Sequence, residues 1–135
     1  MVMPGEGGVG KLRTIQAISD NFEQKKIAHI LVKSAFTGIA ATLIDRKTIH
    51  TIVQLPVTSR PRSPKATRIL TKFWCDKRYL VIDEMSMVPC HMLSCISVAL
   101  STAKSLAGME GSEEVFGGVN VILVGDFHQF PPVTG

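Results

Sequence analysis

The sequence predicts an α/β fold in which helices cover both faces of a parallel β-sheet. Short apolar runs alternate with segments of helical periodicity along the 135 residues, a pattern typical of parallel sheets. The clearest runs, 28–35, 78–84 and 118–126, are almost continuously apolar, as expected for strands buried on both faces. A glycine-rich stretch directly precedes the first helical segment. Together these observations favour a three-layer phosphate-loop fold.

The elements can be assigned in chain order. Met1–Met3 is predicted to be the end of a first strand, because a phosphate loop normally follows one. A helix is expected over Lys11–Gln24, where Ile15, Ile18 and Phe22 recur at helical spacing. A short second helix is expected over 38–45. A third helix is expected over 91–106, with one apolar stripe formed by Leu93, Ile96, Leu100 and Ala103. Surface loops are predicted over 56–65 and 107–118.

The composition predicts a single domain over residues 1–135. A hydrophobic fraction of 45% against 19% charged residues excludes the disordered class. We find neither an apolar run long enough to span a bilayer nor a secretory signal, and we expect an intracellular protein without membrane contact. Three cysteines, odd in number and sparse, argue against a disulfide framework and fit a reducing compartment. The spacing of Cys90, His91 and Cys95 matches no usual zinc site.

Basic residues are concentrated in one segment. Residues 60–78 carry seven basic side chains against Asp76 alone, whereas the rest of the chain has eight basic and ten acidic residues. Such a segment would attract a phosphate backbone, and a solvated basic loop is the alternative. Phe73 and Trp74 within it could stack on bases, with partial burial as the alternative.

The N-terminal stretch MPGEGGVGKL matches the phosphate-loop pattern G-x-x-x-x-G-K-[ST] except at its last position. Glycines allow backbone N–H groups to surround a phosphate, and the lysine reaches the β- and γ-phosphates. Leu12 replaces the hydroxyl residue that would hold Mg²⁺, and Thr14 is predicted to face away from that position. By itself, the motif also fits a glycine-rich turn without nucleotide. The predicted nucleotide-binding residues are Gly5, Gly7, Gly8, Val9, Gly10, Lys11 and Leu12.

Two further strands end in polar residues. YLVIDEM places Asp83 where it could bind Mg²⁺ and Glu84 where it could polarise an attacking water; an acidic turn capping a strand is the alternative. VILVGDFHQFPPV places Gln129 where it could contact a γ-phosphate, with Asp126 bracing the neighbourhood. Because ligands gather beyond the carboxyl ends of parallel strands, these tips and the glycine-rich stretch are predicted to share one crevice.

Three stretches carry a resemblance to a known family. SAFTGIAATLIDRKTIHTI (34–52), DEMSMV (83–88) and GDFHQFPPV (125–133) resemble the PIF-type ATP-dependent DNA helicases, which are RecD-like members of helicase superfamily one. The resemblance implies a RecA-like first motor domain that uses ATP and Mg²⁺ and drives 5′-to-3′ movement on single-stranded DNA. Lys11, Asp83, Glu84 and Gln129 match its catalytic residues, with Asp83 as the metal ligand. The matching DNA-contact residues are Thr37, Gly38, Thr48 and His50.

The resemblance also frames what we expect of this chain. It implies roles in DNA repair, recombination and telomere maintenance, and a location in the nucleus or mitochondrion. The family's second motor domain, the natural partner of this one, is not found within the 135 residues, so we expect weak ATP binding and little hydrolysis. The alternatives are a non-catalytic nucleic-acid-binding module and a decayed helicase remnant. Without the family match, His50 would be interpreted as a packed, hydrogen-bonded histidine.

Overall fold

A parallel sheet forms the centre of the molecule. The computed structural model describes residues 1–5, 9–38, 47–54 and 61–126. Among these residues, five strands lie in the order β1-β5-β4-β2-β3, and every neighbouring pair is parallel. Their bounds are β1 Val2–Pro4, β2 Leu31–Ala35, β3 Lys47–Thr48, β4 Tyr79–Asp83 and β5 Asn120–Gly125. The predicted α/β architecture is confirmed.

Helices lie on both faces of this sheet. The described helices are α1 Val9–Gln24, α2 Ile49–Val53, α3 Pro64–Trp74 and α4 Cys90–Leu106. Short 3₁₀ turns cover Ala28–Ile30, Met85–Met87 and Val115–Gly118. No helix in the described ranges is long and apolar enough to cross a bilayer.

Strand β4 shows why the sheet is buried on both faces. Leu80, Val81 and Ile82 are all 0% exposed. Successive side chains of a strand point to opposite faces, and accordingly Leu80 and Ile82 join the larger core cluster while Val81 joins the smaller one with Ile15 of α1. Continuous apolar sequence therefore reflects two separate cores.

The larger core lies beneath α2, α3 and α4. The α4 stripe predicted from the sequence is confirmed, since Ile96, Leu100 and Ala103 are 0% exposed and Leu93 packs against the same cluster. Trp74 closes α3 and is also fully buried, with its indole N–H donating to the carbonyl of Ile52 at 2.9 Å. Burial of this tryptophan contradicts base stacking and agrees with the alternative of a packing role.

The predictions for 28–35 and 56–65 need correction. A 3₁₀ turn occupies Ala28–Ile30, so the second strand begins only at Leu31. Helix α3 begins at Pro64, inside the range predicted to be a loop, and it takes up most of the basic segment. Pro64 occupies the first turn, where no backbone N–H is required, and the Ser63 hydroxyl accepts from the Ala66 N–H at 3.2 Å. The predicted helix over 38–45 lies outside the described residues, apart from Gly38.

Helix α4 carries one buried cation. Lys104 is only 3% exposed, and its ammonium donates to the backbone carbonyls of Lys77 and Cys75, just beyond the end of α3. Burial lowers the pKa of Lys104 below its ordinary value, and the nearby Arg78 acts in the same direction. The ammonium therefore joins the C-terminal end of α3 to α4.

Candidate nucleotide and nucleic-acid site

The glycine-rich loop starts from strand β1, which lies at the edge of the described sheet. Beyond this strand, the Gly5 N–H donates to the Gly125 carbonyl at 3.1 Å, which ties the start of the loop to the end of β5. The aliphatic stem of Lys11 folds back over Gly5. A β-carbon at position 5 would stand 3.6 Å from Cγ of Lys11. Gly7 and Gly8 lie outside the described residues, as does the side chain of Val9.

The loop side of the site lacks a metal-binding oxygen at position 12. Leu12 lies in the first turns of α1 and is 44% exposed. Thr14 does not replace the missing hydroxyl, because its Oγ1 donates to the Gly10 carbonyl at 3.0 Å and is thereby held against the helix backbone. The departure from the phosphate-loop pattern is therefore not compensated by the neighbouring threonine.

The two predicted carboxylates lie at the end of β4 and are half-buried. Glu84 has a left-handed backbone conformation, with φ 58° and ψ 41°, which costs a non-glycine residue about 1–2 kcal/mol. This conformation ends the strand. The Glu84 N–H donates to Oδ1 of Asp83 at 2.8 Å, and the Glu84 carbonyl accepts from Met87 within the following 3₁₀ turn.

The Glu84 carboxylate bonds directly to Thr37, beyond the end of the adjacent strand β2. Its Oε2 accepts from the Thr37 backbone N–H at 2.8 Å, and the Thr37 hydroxyl lies 3.1 Å from both carboxylate oxygens. The strand register pairs Ala35 with Asp83, which brings the two tips level. This contact was not predicted from the sequence. The signal that could have indicated it is that strands β2 and β4 both end in polar residues and lie side by side.

A close approach of backbone to backbone fixes the third tip. A β-carbon on Gly125, at the end of β5, would stand 2.8 Å from the Met85 backbone nitrogen, so only glycine fits there. Asp126 follows and is 7% exposed. The close approach of Gly125 to Glu84 and Met85 brings the end of β5 to the end of β4, which agrees with the predicted convergence. Gln129 and His128 lie outside the described residues.

The remaining DNA-contact candidates lie on the β2–β3 side of the same edge. Thr48 pairs with Ala35 in the sheet, and its hydroxyl lies 2.7 Å from the Thr51 hydroxyl. His50 is exposed, with its ring centroid 5.7 Å from that of Phe36. This exposure contradicts the packed alternative for His50. Gly38 is also exposed and has no atom within 4 Å of the position of an added β-carbon.

The donor set partly fits Mg²⁺. This ion commonly uses one or two carboxylates together with phosphate oxygens and water, and the half-buried carboxylate of Asp83 suits that role. Position 12 offers no oxygen, so the fit is limited to the strand side of the site. Elsewhere in the described ranges no group of three metal-ligating side chains occurs, and Cys90 and Cys95 are both exposed free thiols.

Comparisons with known proteins agree with this geometry. The family model described as PIF1-like helicase matches residues 1–135. ATP-dependent DNA helicases PIF1 from Candida albicans and Danio rerio are each 31% identical to the chain, over 96% of its length. The matched region spans only 14% and 19% of those proteins.

Solved structures give the same result. The fold is similar to Bacteroides Pif1 bound to ssDNA, with a TM-score of 0.75 and 27% identity, and to a Bacteroides sp. Pif1 in complex with ADP-AlF4, with a TM-score of 0.74 and 29% identity. In both cases the similarity covers 99% of this chain and 30% of the other. The five-stranded parallel sheet with its helices thus corresponds to the RecA-like domain of these helicases.

Proposed function

Since the chain belongs to the PIF1-like helicase family, we propose that it is the first RecA-like motor domain of an ATP-dependent DNA helicase. It covers 14% to 30% of the length of the relatives named above, so unwinding is a property of the larger assembly. The chain itself contributes one half of an ATP cleft and one half of a track for single-stranded DNA. The family's roles in repair, recombination and telomere maintenance, in the nucleus or mitochondrion, belong to the same proposal.

The proposed ATP-binding residues converge at the carboxyl ends of the strands. The loop from Gly5 to Leu12 surrounds the phosphates with backbone N–H groups, and Lys11 neutralises the β- and γ-phosphates. Glu84 orients and polarises the attacking water. Mg²⁺ supplies electrostatic stabilisation of the phosphate charge when bound, and Asp83 would hold it from the strand side. Gln129 is assigned to the γ-phosphate from its motif alone.

The bond between Thr37 and Glu84 is the observation that carries this proposal. Thr37 stands where the family motif contacts the DNA backbone, and Glu84 stands where the motif activates water. Their three contacts of 2.8–3.1 Å support a direct link between the proposed DNA contact and the proposed water-activating carboxylate. A phosphate that attracts the Thr37 N–H competes with the Glu84 carboxylate, which links occupancy of the two sites.

The first experiment tests the nucleotide site. A fluorescent ATP analogue is titrated with and without Mg²⁺ into the native chain, Leu12→Ser and the matched control Leu12→Ala. We expect all three to bind the analogue weakly and only Leu12→Ser to gain affinity from Mg²⁺. Absence of binding by all three would refute the phosphate-loop assignment. An equal Mg²⁺ effect in Leu12→Ala would show that relief of bulk, rather than the hydroxyl, is responsible.

The second experiment tests the link between the sites. The same titration is repeated with and without a saturating oligo-dT strand, for the native chain and for Thr37→Val. We expect the oligonucleotide to change analogue affinity in the native chain and to change it less in Thr37→Val. Identical affinities with and without DNA in the native chain would contradict the link.

A second candidate function is a non-catalytic nucleic-acid-binding module. Two observations favour it: position 12 lacks a metal-binding oxygen, and exposed cations line one face of α3. The two functions predict different results, because DNA binding by such a module ignores ATP. Absence of analogue binding, together with salt-dependent DNA binding, would support the module and exclude the ATP-driven motor domain.

A further inference from the structure

The outer face of α3 carries a row of cations. Lys65, Arg68 and Lys72 are all exposed, and their spacing of three and four residues places them along one side of the helix. The row is about 10 Å long, at about 1.5 Å of rise per residue. This length matches about three phosphates of a strand whose stacked bases keep the rise of about 3.4 Å per nucleotide found in duplex DNA.

The surroundings of this row leave its charge unneutralised. Helix α3 contains no acidic residue. None of the three cations is paired with a carboxylate among the described residues, where the nearest acidic side chain in sequence, Asp76, lies 3.4 Å from Lys77. The positive charge of the row is therefore available to a mobile anion.

A groove runs between α3 and the end of α4 beside the row. Its volume is about 620 Å³, and its described lining contains cations, hydroxyl groups, one thiol and two apolar side chains but no carboxylate. It is lined by Arg62, Pro64, Thr67, Arg68, Thr71, Lys72, Cys75 and Leu106. Charged and hydroxyl side chains suit phosphate oxygens, and the exposed Leu106 offers an apolar surface to a sugar ring. We call this surface the α3 groove.

Arg62 joins the α3 groove to the DNA-contact side of the molecule. Its guanidinium donates to the carbonyls of Val53 and Gln54 at 3.2 Å, at the C-terminal end of α2. Helix α2 directly follows Thr48 and contains His50. The groove thus begins at the carboxyl edge of the sheet and follows α3 towards its opposite edge.

We propose that the α3 groove binds the sugar-phosphate backbone of single-stranded DNA as a continuation of the track at Thr37, Gly38, Thr48 and His50. No aromatic side chain is found among the described residues that line the groove, so it recognises the backbone rather than the bases. This surface lies outside the family's motif residues and does not depend on the nucleotide site. We expect the groove to prefer single strands because it continues from α2, which carries His50 of the proposed single-stranded DNA track.

The test is salt-dependent binding of labelled oligo-dT by fluorescence anisotropy, without nucleotide. The full chain is compared with Arg68→Gln/Lys72→Gln. The matched control is Lys25→Gln/Arg78→Gln, which removes the same charge from exposed positions outside the groove. Loss of two phosphate contacts should flatten the plot of log K against log salt by about 1.4, at about 0.7 per contact for single strands. At 50 mM salt, affinity should fall on the order of tenfold to a hundredfold, and the control should remain near the native chain.

Three outcomes would overturn the proposal. These are absence of DNA binding by the native chain, an equal loss in the groove variant and the control, and tighter binding of a duplex of the same length. Lys65→Arg/Lys72→Arg, which keeps the charge, should keep the native affinity. Because no nucleotide is present, failure here leaves the ATP-analogue result unaffected, and failure of analogue binding leaves this result unaffected.

Discussion

Replacing Thr37 by valine should weaken the tip of the sheet by a measurable amount. The change keeps the shape and the backbone N–H of Thr37 but removes the hydroxyl that lies 3.1 Å from both oxygens of Glu84. Hydrogen bonds to charged groups contribute about 1.5–3 kcal/mol. The Thr37 hydroxyl divides its hydrogen bond between two carboxylate oxygens, and both residues are half-buried. We therefore expect this contact to contribute less than that range, about 1 kcal/mol.

A double-mutant cycle separates this pair from the other contacts of Thr37. Thr37→Val, Glu84→Ala and the double variant are unfolded with urea, with the fluorescence of Trp74 as the signal. Trp74 is the only tryptophan in the sequence and is fully buried, so it reports on the core. The left-handed backbone conformation at position 84 costs alanine about as much free energy as it costs glutamate, because both residues carry a β-carbon.

The expected coupling free energy is about 1 kcal/mol. The control Thr102→Val, at an exposed position on α4, should change the free energy of unfolding by less than about 0.5 kcal/mol. Independent sites show couplings within about 0.3–0.5 kcal/mol of zero. A coupling in that interval would refute the contact between the Thr37 hydroxyl and Glu84, and would leave only the bond from the Thr37 backbone N–H to support the proposed link.

Three further predictions concern the free energy of unfolding. Gly125→Ala should lower the free energy of unfolding by about 1–3 kcal/mol, because the new β-carbon would stand 2.8 Å from a backbone nitrogen. The control Gly10→Ala should not lower it, because no atom lies within 4 Å of the added β-carbon. Urea titration of both variants measures the difference. Trp74→Phe should lower it by at least about 1–3 kcal/mol, measured by circular dichroism, because the Ile52 carbonyl loses its donor; an unchanged midpoint would contradict this. Burial lowers the pKa of Lys104 below 10.5 in the folded protein. Just below that pH the unfolded chain therefore binds more protons than the folded protein, and the contribution of Lys104 to the free energy of unfolding rises with pH. The free-energy difference between the native chain and Lys104→Met should therefore grow in favour of the native chain from pH 8 to 10, and a constant difference would be evidence against the effect.

Sequence periodicity predicted the elements whose burial is regular. Strand β4 was predicted from its continuous apolar run and helix α4 from a period of 3.6, and no predicted end differs from the observed one by more than one residue. The crevice at the strand ends followed from parallel topology, and the described tips at Gly5, Asp83 and Asp126 agree with it. Regular burial repeats in the sequence, so it can be recognised there.

Short elements and long-range contacts could not be predicted in the same way. Strand β3 and helix α2 have two and five residues, too few for a period to appear. The start of helix α3 falls within the predicted loop 56–65 because three prolines and several cations dominate that stretch, although Ser63 and Pro64 form a helix start signal. The Thr37–Glu84 bond depends on a left-handed turn at a non-glycine residue, which local propensity disfavours.

The pairing of β1 with β5 has a consequence for the order in which the molecule folds. Val2 pairs with Leu123, so the strand that precedes the glycine-rich loop docks on β5, the last of the described strands. Closing so large a loop is entropically slow, and contacts between distant parts of a chain tend to form late. The core of β2, β4 and α4 needs no contribution from the first five residues. We therefore expect the edge with the proposed DNA contacts to form first, and the proposed phosphate loop to reach its place only when β1 pairs with β5.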